Sequence, residues 1–175
     1  MPDKKIMAGG AVLAAAGFWF FVKPNYLDPA PPPIPPTAEE IAAAPRPTIY
    51  LGRIPGEKEK PPTDVGVVYN LKAPAASPAY AKVVLALEFE DPHHAYVGLK
   101  PTAVEAKNAL FAEELRPEMY RVSDAITRVM GSRGPDEVST SEGREQLKSD
   151  LRTAINDVLH EEKVAAVYFV TFVTQ

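Results

Sequence analysis

An α+β domain held behind a membrane anchor and a proline-rich linker is the architecture this sequence predicts. Three observations point there. An uncharged apolar run, Ile6 to Val22, lies near the start of the chain. Twelve of the 19 prolines crowd between Pro24 and Pro62. Beyond Asp64, short strand-like alternations bracket helical periodicities and a strand closes the sequence. The hydrophobic content, 46%, is that of a globular protein.

The anchor comes first. Ile6 to Val22 is 17 residues without a charge, about 25 Å as a helix and at the short end of what spans a bilayer. Lys4 and Lys5 precede it, Lys23 closes it, and Phe18-Trp19-Phe20-Phe21 stands where an interfacial aromatic belt lies. A cleaved signal peptide is the rival, with Ala14-Ala15-Ala16 as its small-residue site. Cleavage there leaves only Ile6 to Leu13 as hydrophobic core and exposes Phe18 to Val22, so an uncleaved anchor is expected. The excess of lysine ahead of the run puts residues 1–5 in the cytoplasm and the rest of the protein outside it. Within the span, Gly10, Ala14 and Gly17 share a face at the spacing that lets two helices approach closely. Small residues that merely fill a short anchor fit the same pattern, because Ala8, Gly9, Ala11, Ala15 and Ala16 flank that face.

Residues 23–63 read as a linker. Pro29 to Pro36 favours polyproline II, since proline fixes φ and removes a backbone donor. Thr37 and Glu40 form a capping-box pair, Ala38 to Ala44 are helix formers, and Pro45 ends the short helical turn.

Residues 64–175 form the expected domain. Val65 to Leu71 is a short strand. In Tyr80 to Glu90, Val83, Leu85, Leu87 and Phe89 share one face, while Lys82, Glu88 and Glu90 share the other with Val84 and Ala86, the mark of a half-buried strand. Ala103 to Leu115 and Glu118 to Met130 are helices separated at Pro117. Ser139 and Glu142 suit a capping box for a longer helix, whose stripe Leu147, Leu151, Ile155, Val158 and Leu159 keeps a 3.6-residue period. Val164 to Thr174 is apolar on both faces, which suits a sheet centre, or a sheet with helices on one face and a partner on the other.

Chemistry is sparse. The chain has no cysteine, which excludes disulfides, thiolate metal sites and cysteine nucleophiles. Nineteen basic against 23 acidic residues form no basic block, so no nucleic-acid partner is expected. Glu90-Asp91-Pro92-His93-His94 gathers ligand-type side chains, yet adjacent histidines diverge and no distant ligand pattern completes a shell. His160 falls at the end of the long helix. Phosphate-binding, dinucleotide and nucleophile-elbow motifs are missing, and Glu113, Glu114, Glu161 and Glu162 read as solvated helix surface. The expectation is a protein with no enzymatic activity, no cofactor and no bound metal.

Six segments, in order and spacing, resemble the flagellar basal body-associated FliL family. They are Val68-Tyr69-Asn70-Leu71, Tyr80 to Glu88, Arg116-Pro117-Glu118-Met119-Tyr120-Arg121 running on to Ile126, Thr140-Ser141-Glu142-Gly143-Arg144 running on to Lys148, Ile155 to Leu159, and Val167 to Gln175. Asn70, Leu71, Pro117, Gly143, Leu147, Phe172 and Gln175 are the motif positions, all in structural roles. The linker is longer and richer in proline than is usual in the family, and Gly52 to Pro62 reads as inserted before the first strand of the domain. The resemblance implies a single-pass protein of the bacterial inner membrane, with a periplasmic linker and a domain of stomatin/prohibitin type. It also implies a homo-oligomer, in a ring, that supports the stator complex and basal body in torque, swimming and swarming. Two other classes fit the outline: a bitopic, periplasm-spanning energy-transducing or secretion adaptor, and a periplasmic metal-binding module built on His93 and His94.

Overall fold

The computed structural model describes residues 35–52 and 66–175. The expected anchor over 6–22, with Gly10, Ala14 and Gly17, lies outside the described residues, as do residues 23–34 and 53–63 of the expected linker. Among the described residues no helix is long and apolar enough to cross a membrane.

Chain order runs α1 (Ala38–Ala43), β1 (Thr48–Leu51), β2 (Val67–Asn70), β3 (Tyr80–Phe89), α2 (Pro101–Leu115), α3 (Met119–Ser132), α4 (Pro135–Ser139), α5 (Ser141–Val158) and β4 (Val164–Thr174). The capping box at the start of α1 is present in both directions. The Glu40 backbone N–H donates to Thr37 Oγ1 at 3.2 Å, and the Thr37 backbone N–H donates to Glu40 Oε2 at 2.8 Å.

β3 organises the sheet. β4 runs antiparallel along one of its edges, while β1 and β2 lie in tandem along the other, β1 on Leu85–Glu88 and β2 on Tyr80–Val83. The domain therefore begins earlier than residue 64, because the expected linker contributes a strand. Thr48-Ile49-Tyr50-Leu51 is a β-branched and aromatic run bounded by Pro47 and Gly52, and that local signal prevails over the surrounding proline. The stretch read as an insertion before the first strand instead separates two strands of one edge. Gly52 and Gly66 stand at its two ends with φ of +94° and +102°, a backbone that glycine adopts freely. Side chains would also collide there, since a Cβ on Gly52 falls 3.1 Å from the Gly66 Cα and one on Gly66 falls 2.9 Å from the Val83 carbonyl oxygen.

The core fills one face of the sheet. Val83, Leu85, Leu87 and Phe89 meet Val122, Ile126 and Met130 of α3 and Leu147, Leu151 and Ile155 of α5, all fully or almost fully buried. Each helix presents residues three and four apart to the sheet, so the stripe read from the sequence is the buried one. Val129 of α3 and Val158, a member of the α5 stripe, are only half-buried.

Several expectations change. β3 is buried on both faces rather than one, because it is paired on both edges and Ala86, small, lies between Tyr50 and Tyr168 in the same row. Helix α2 begins at Pro101 and buries only Leu115, with Leu110 66% exposed, since its apolar residues are scattered around the helix. Pro117 sits in a 3₁₀ turn, Arg116–Glu118, between α2 and α3. Thr140, not Ser139, caps α5, because Ser139 belongs to the separate short helix α4 and donates its hydroxyl to the Asp136 carbonyl. His160, Glu161 and Glu162 follow the end of α5 in a connection, and His160 Nε2 lies 2.6 Å from an Arg121 nitrogen. Among the described residues β4 pairs on one side only, with β3, which departs from the sheet-centre reading.

Candidate interaction surface

Side chains alternate across a sheet, so the registers sort them onto two faces. Rows Ile49–Leu87–Val167 and Leu51–Leu85–Phe169 point into the helical layer. The intervening rows, Thr48–Glu88–Ala166, Tyr50–Ala86–Tyr168 and Val68–Lys82–Val173, point the other way. On this second face Tyr50, Val68, Tyr80, Tyr168 and Val173 are between 40% and 60% exposed, around the buried Val84 and Ala86. Five large apolar or aromatic side chains stand exposed on one sheet face, with Lys82 between Val68 and Val173, and exposed apolar side chains gathered on one face mark an interaction site.

β4 adds to this surface. Its register against β3 shifts between Val84 and Leu85, leaving Val170 unpaired and 42% exposed. On the helical side Phe169 and Phe172 stack edge to face, with ring centroids 4.7 Å apart. Arg144 lies over the Phe172 ring and Lys148 over Phe169, at 5.2 Å and 5.9 Å.

The motif positions take structural places. Asn70 ends β2 opposite Tyr80, and the buried Leu71 donates its N–H to Ala79 at 2.9 Å. Gln175 exchanges two backbone bonds with Tyr80, each 2.9 Å, and so closes the β3–β4 ladder. Gly143 explains the Glu-Gly-Arg opening of α5. A Cβ there would fall 1.7 Å from the Glu137 carbonyl oxygen, so only glycine allows α4 and α5 this approach. Its N–H donates to Thr140 Oγ1, and the neighbouring Arg144 donates to the Val138 carbonyl at 3.0 Å. Leu147 is fully buried in the core.

Sequence reasoning missed two residues. Tyr50 was hidden in the proline-rich stretch. Asn156 pairs with the backbone of Val164 in both directions, at 2.7 Å and 3.1 Å, and ties the end of α5 to the start of β4. Nothing in its spacing signals that role.

The candidate ligand residues are engaged or dispersed. Both carboxylate oxygens of Asp91 accept backbone N–H bonds, from Ala95 and Tyr96 at 2.9 Å each, while His93 and His94 are exposed. No three His, Asp or Glu side chains among the described residues converge to hold a metal. A groove of about 930 Å³ between α2 and β1 is lined by Ile49, Tyr50, Val104 and Asn108. Asn108 there accepts the outward N–H of Thr48 at 3.2 Å, which occupies part of the β1 edge. Tyr96 is almost completely buried with no partner for its hydroxyl among the described residues. Burial first, then the nearby Asp91 and Glu114 carboxylates, raise its pKa above the usual phenol value.

A family model described as flagellar basal body-associated protein FliL matches residues 63–175. The flagellar protein FliL of Aquifex aeolicus (strain VF5) is 31% identical over 114 residues, 65% of this chain and 65% of that protein. The flagellar protein FliL of Bacillus subtilis (strain 168) is 33% identical over 60 residues, 34% of this chain and 43% of that protein. The match thus spans less than two thirds of the length of either relative.

Proposed function

The chain belongs to the FliL family of flagellar basal body-associated proteins, and from that premise we propose a non-catalytic inner-membrane scaffold of the flagellar motor. In this reading Ile6 to Val22 is a single-pass anchor with the amino terminus in the cytoplasm. The linker projects the domain into the periplasm, where copies associate around stator units and support torque, swimming and swarming. Three lysines flank the apolar run and none interrupts it, so the anchor itself offers no ion path.

One observation carries the proposal: the sheet face opposite the helices presents Tyr50, Val68, Tyr80, Tyr168 and Val173 to solvent. Side chains of this kind form the cores of protein interfaces. A contact repeated head to tail about an axis closes into a ring. The linker sets the height at which such a ring would meet its partner.

Motility decides between this role and the adaptor. Deleting the protein should impair swimming, swarming or torque under load, and lengthening the Pro29 to Pro36 segment should do the same while insertion and folding persist. Unchanged motility on deletion overturns the motor role and favours the periplasm-spanning adaptor.

A further inference from the structure

β4 pairs with β3 on one side, and no described strand pairs with its other edge. Asn156 bonds the Val164 backbone and Arg152 the Ala165 carbonyl at the start of that edge, and the stretch beyond, Val167 to Thr174, is a template for another extended chain. A groove of about 280 Å³ runs beside this edge, between Ala165–Tyr168 and the α5 residues Glu145, Lys148, Ser149 and Arg152. Arg144, Lys148 and Arg152 recur every fourth residue of α5 and lie over Phe172, over Phe169 and 3.5 Å from the Ala165 carbonyl oxygen, respectively. Glu145, paired with Lys148 at 2.6 Å, is the acidic side chain lining the groove.

We propose that the β4 edge captures an extended segment of another protein, one that alternates acidic and apolar side chains. The alternation follows from geometry. An added strand sends successive side chains to opposite faces. Those on the helical side meet Arg144, Lys148 and Arg152, which suit carboxylates. Those on the other side continue the row of Tyr168 and Val173, which suits apolar groups. A second copy offering its own β4 is the poorer occupant, because an antiparallel two-fold joint sets the α5 cations of both copies on the same sheet face. The β1 edge is poorer still, since β1 has only four residues and Asn108 takes the Thr48 N–H, whereas the side chains on the β4 edge reach only Val164 and Ala165. The proline-rich stretch of this chain lacks the donors a ladder requires.

Strand capture is independent of the motor assignment, and a labelled synthetic peptide of alternating glutamate and valine tests it on the full chain in detergent, whatever motility shows. Fluorescence anisotropy should report saturable binding that weakens about tenfold when Lys148→Glu and Arg152→Glu are combined, with a similar loss when the peptide's alternate backbone nitrogens are methylated. Methylation changes only the peptide, so it reads the edge whether or not the double variant folds. Hydrogen exchange should slow along Val167 to Thr174 when the peptide is added. No binding, equal binding of a lysine-for-glutamate peptide, or indifference to methylation overturns the proposal. So does a β4 edge already protected without peptide that opens on dilution, which assigns the edge to a second copy.

Discussion

The two faces of the sheet share four strands and differ in what covers them. Toward the helices, Val83, Leu85 and Leu87 are completely buried. On the opposite face, in rows one residue away, Tyr168 and Val173 remain nearly half exposed. Hydrophobicity alone does not separate the two sets. The difference is that α3 and α5 carry apolar stripes matched to one face, whereas no described helix carries a stripe for the other. One face is therefore the source of stability, and the other is the face proposed for association.

Paired substitutions break or sharpen that division. Leu151→Ala, on the covered side, should lower unfolding free energy by about 2–5 kcal/mol, through lost transfer energy and the cavity left behind. Tyr168→Ser on the open face should change it by about 0.5 kcal/mol or less while reducing self-association. Denaturant melts of both variants check this, and comparable losses would show that the open face belongs to the core.

Gly143→Ala extends the test to the packing that sets the helical layer in place. Its new Cβ forces α4 away from α5, and overpacking of this kind costs about 1–3 kcal/mol, more where backbone must shift. Thermal melting measures the loss, and an unchanged midpoint would show that the α4–α5 approach is not needed.

A smaller effect comes from Tyr96, beside Phe111 at the margin of the helical layer. Its folded pKa is raised, so the neutral phenol is the form that folding favours. The associated stability is complete below the ordinary value of about 10 and is lost as pH rises from there through the folded value. Tyr69 is raised by burial as well, so Tyr96→Phe should remove part of the alkaline loss, not all. At neutral pH the same change should be neutral or stabilising by up to about 1 kcal/mol, because an unpartnered hydroxyl leaves the interior. Melts at neutral and alkaline pH separate the two effects.

Much of this fold was legible in the sequence, for identifiable reasons. The stripe through Leu147, Leu151 and Ile155 keeps helical period over about two turns, and β4 was bounded correctly because its apolar run is long. β1 was not legible as part of the sheet, since four residues among prolines carry a weak signal and their partners lie 34 to 40 residues away in the chain. The burial of Ala86 depends on Tyr50 and Tyr168 arriving from two other strands, which no local pattern encodes. The open face was half legible: the two-sided apolarity of Val164 to Thr174 signalled a second surface, but not that Tyr50 and Val68 complete it. Gly143 stood out as part of a motif, while its purpose became visible only with Glu137 beside it.

Because the chain has no cysteine, a single Tyr168→Cys substitution admits one benzophenone maleimide label on the open face. Illuminating the full-length labelled protein in native membranes is the most direct test of the scaffold reading. Cross-linked species containing two or more copies of the chain are the predicted result, with a label at the exposed Asp124 of α3, placed through Asp124→Cys, as the reference for the helical side. A Tyr168 label that stays on the monomer, at a yield of folded protein equal to the parent, would contradict the assignment of this face to association.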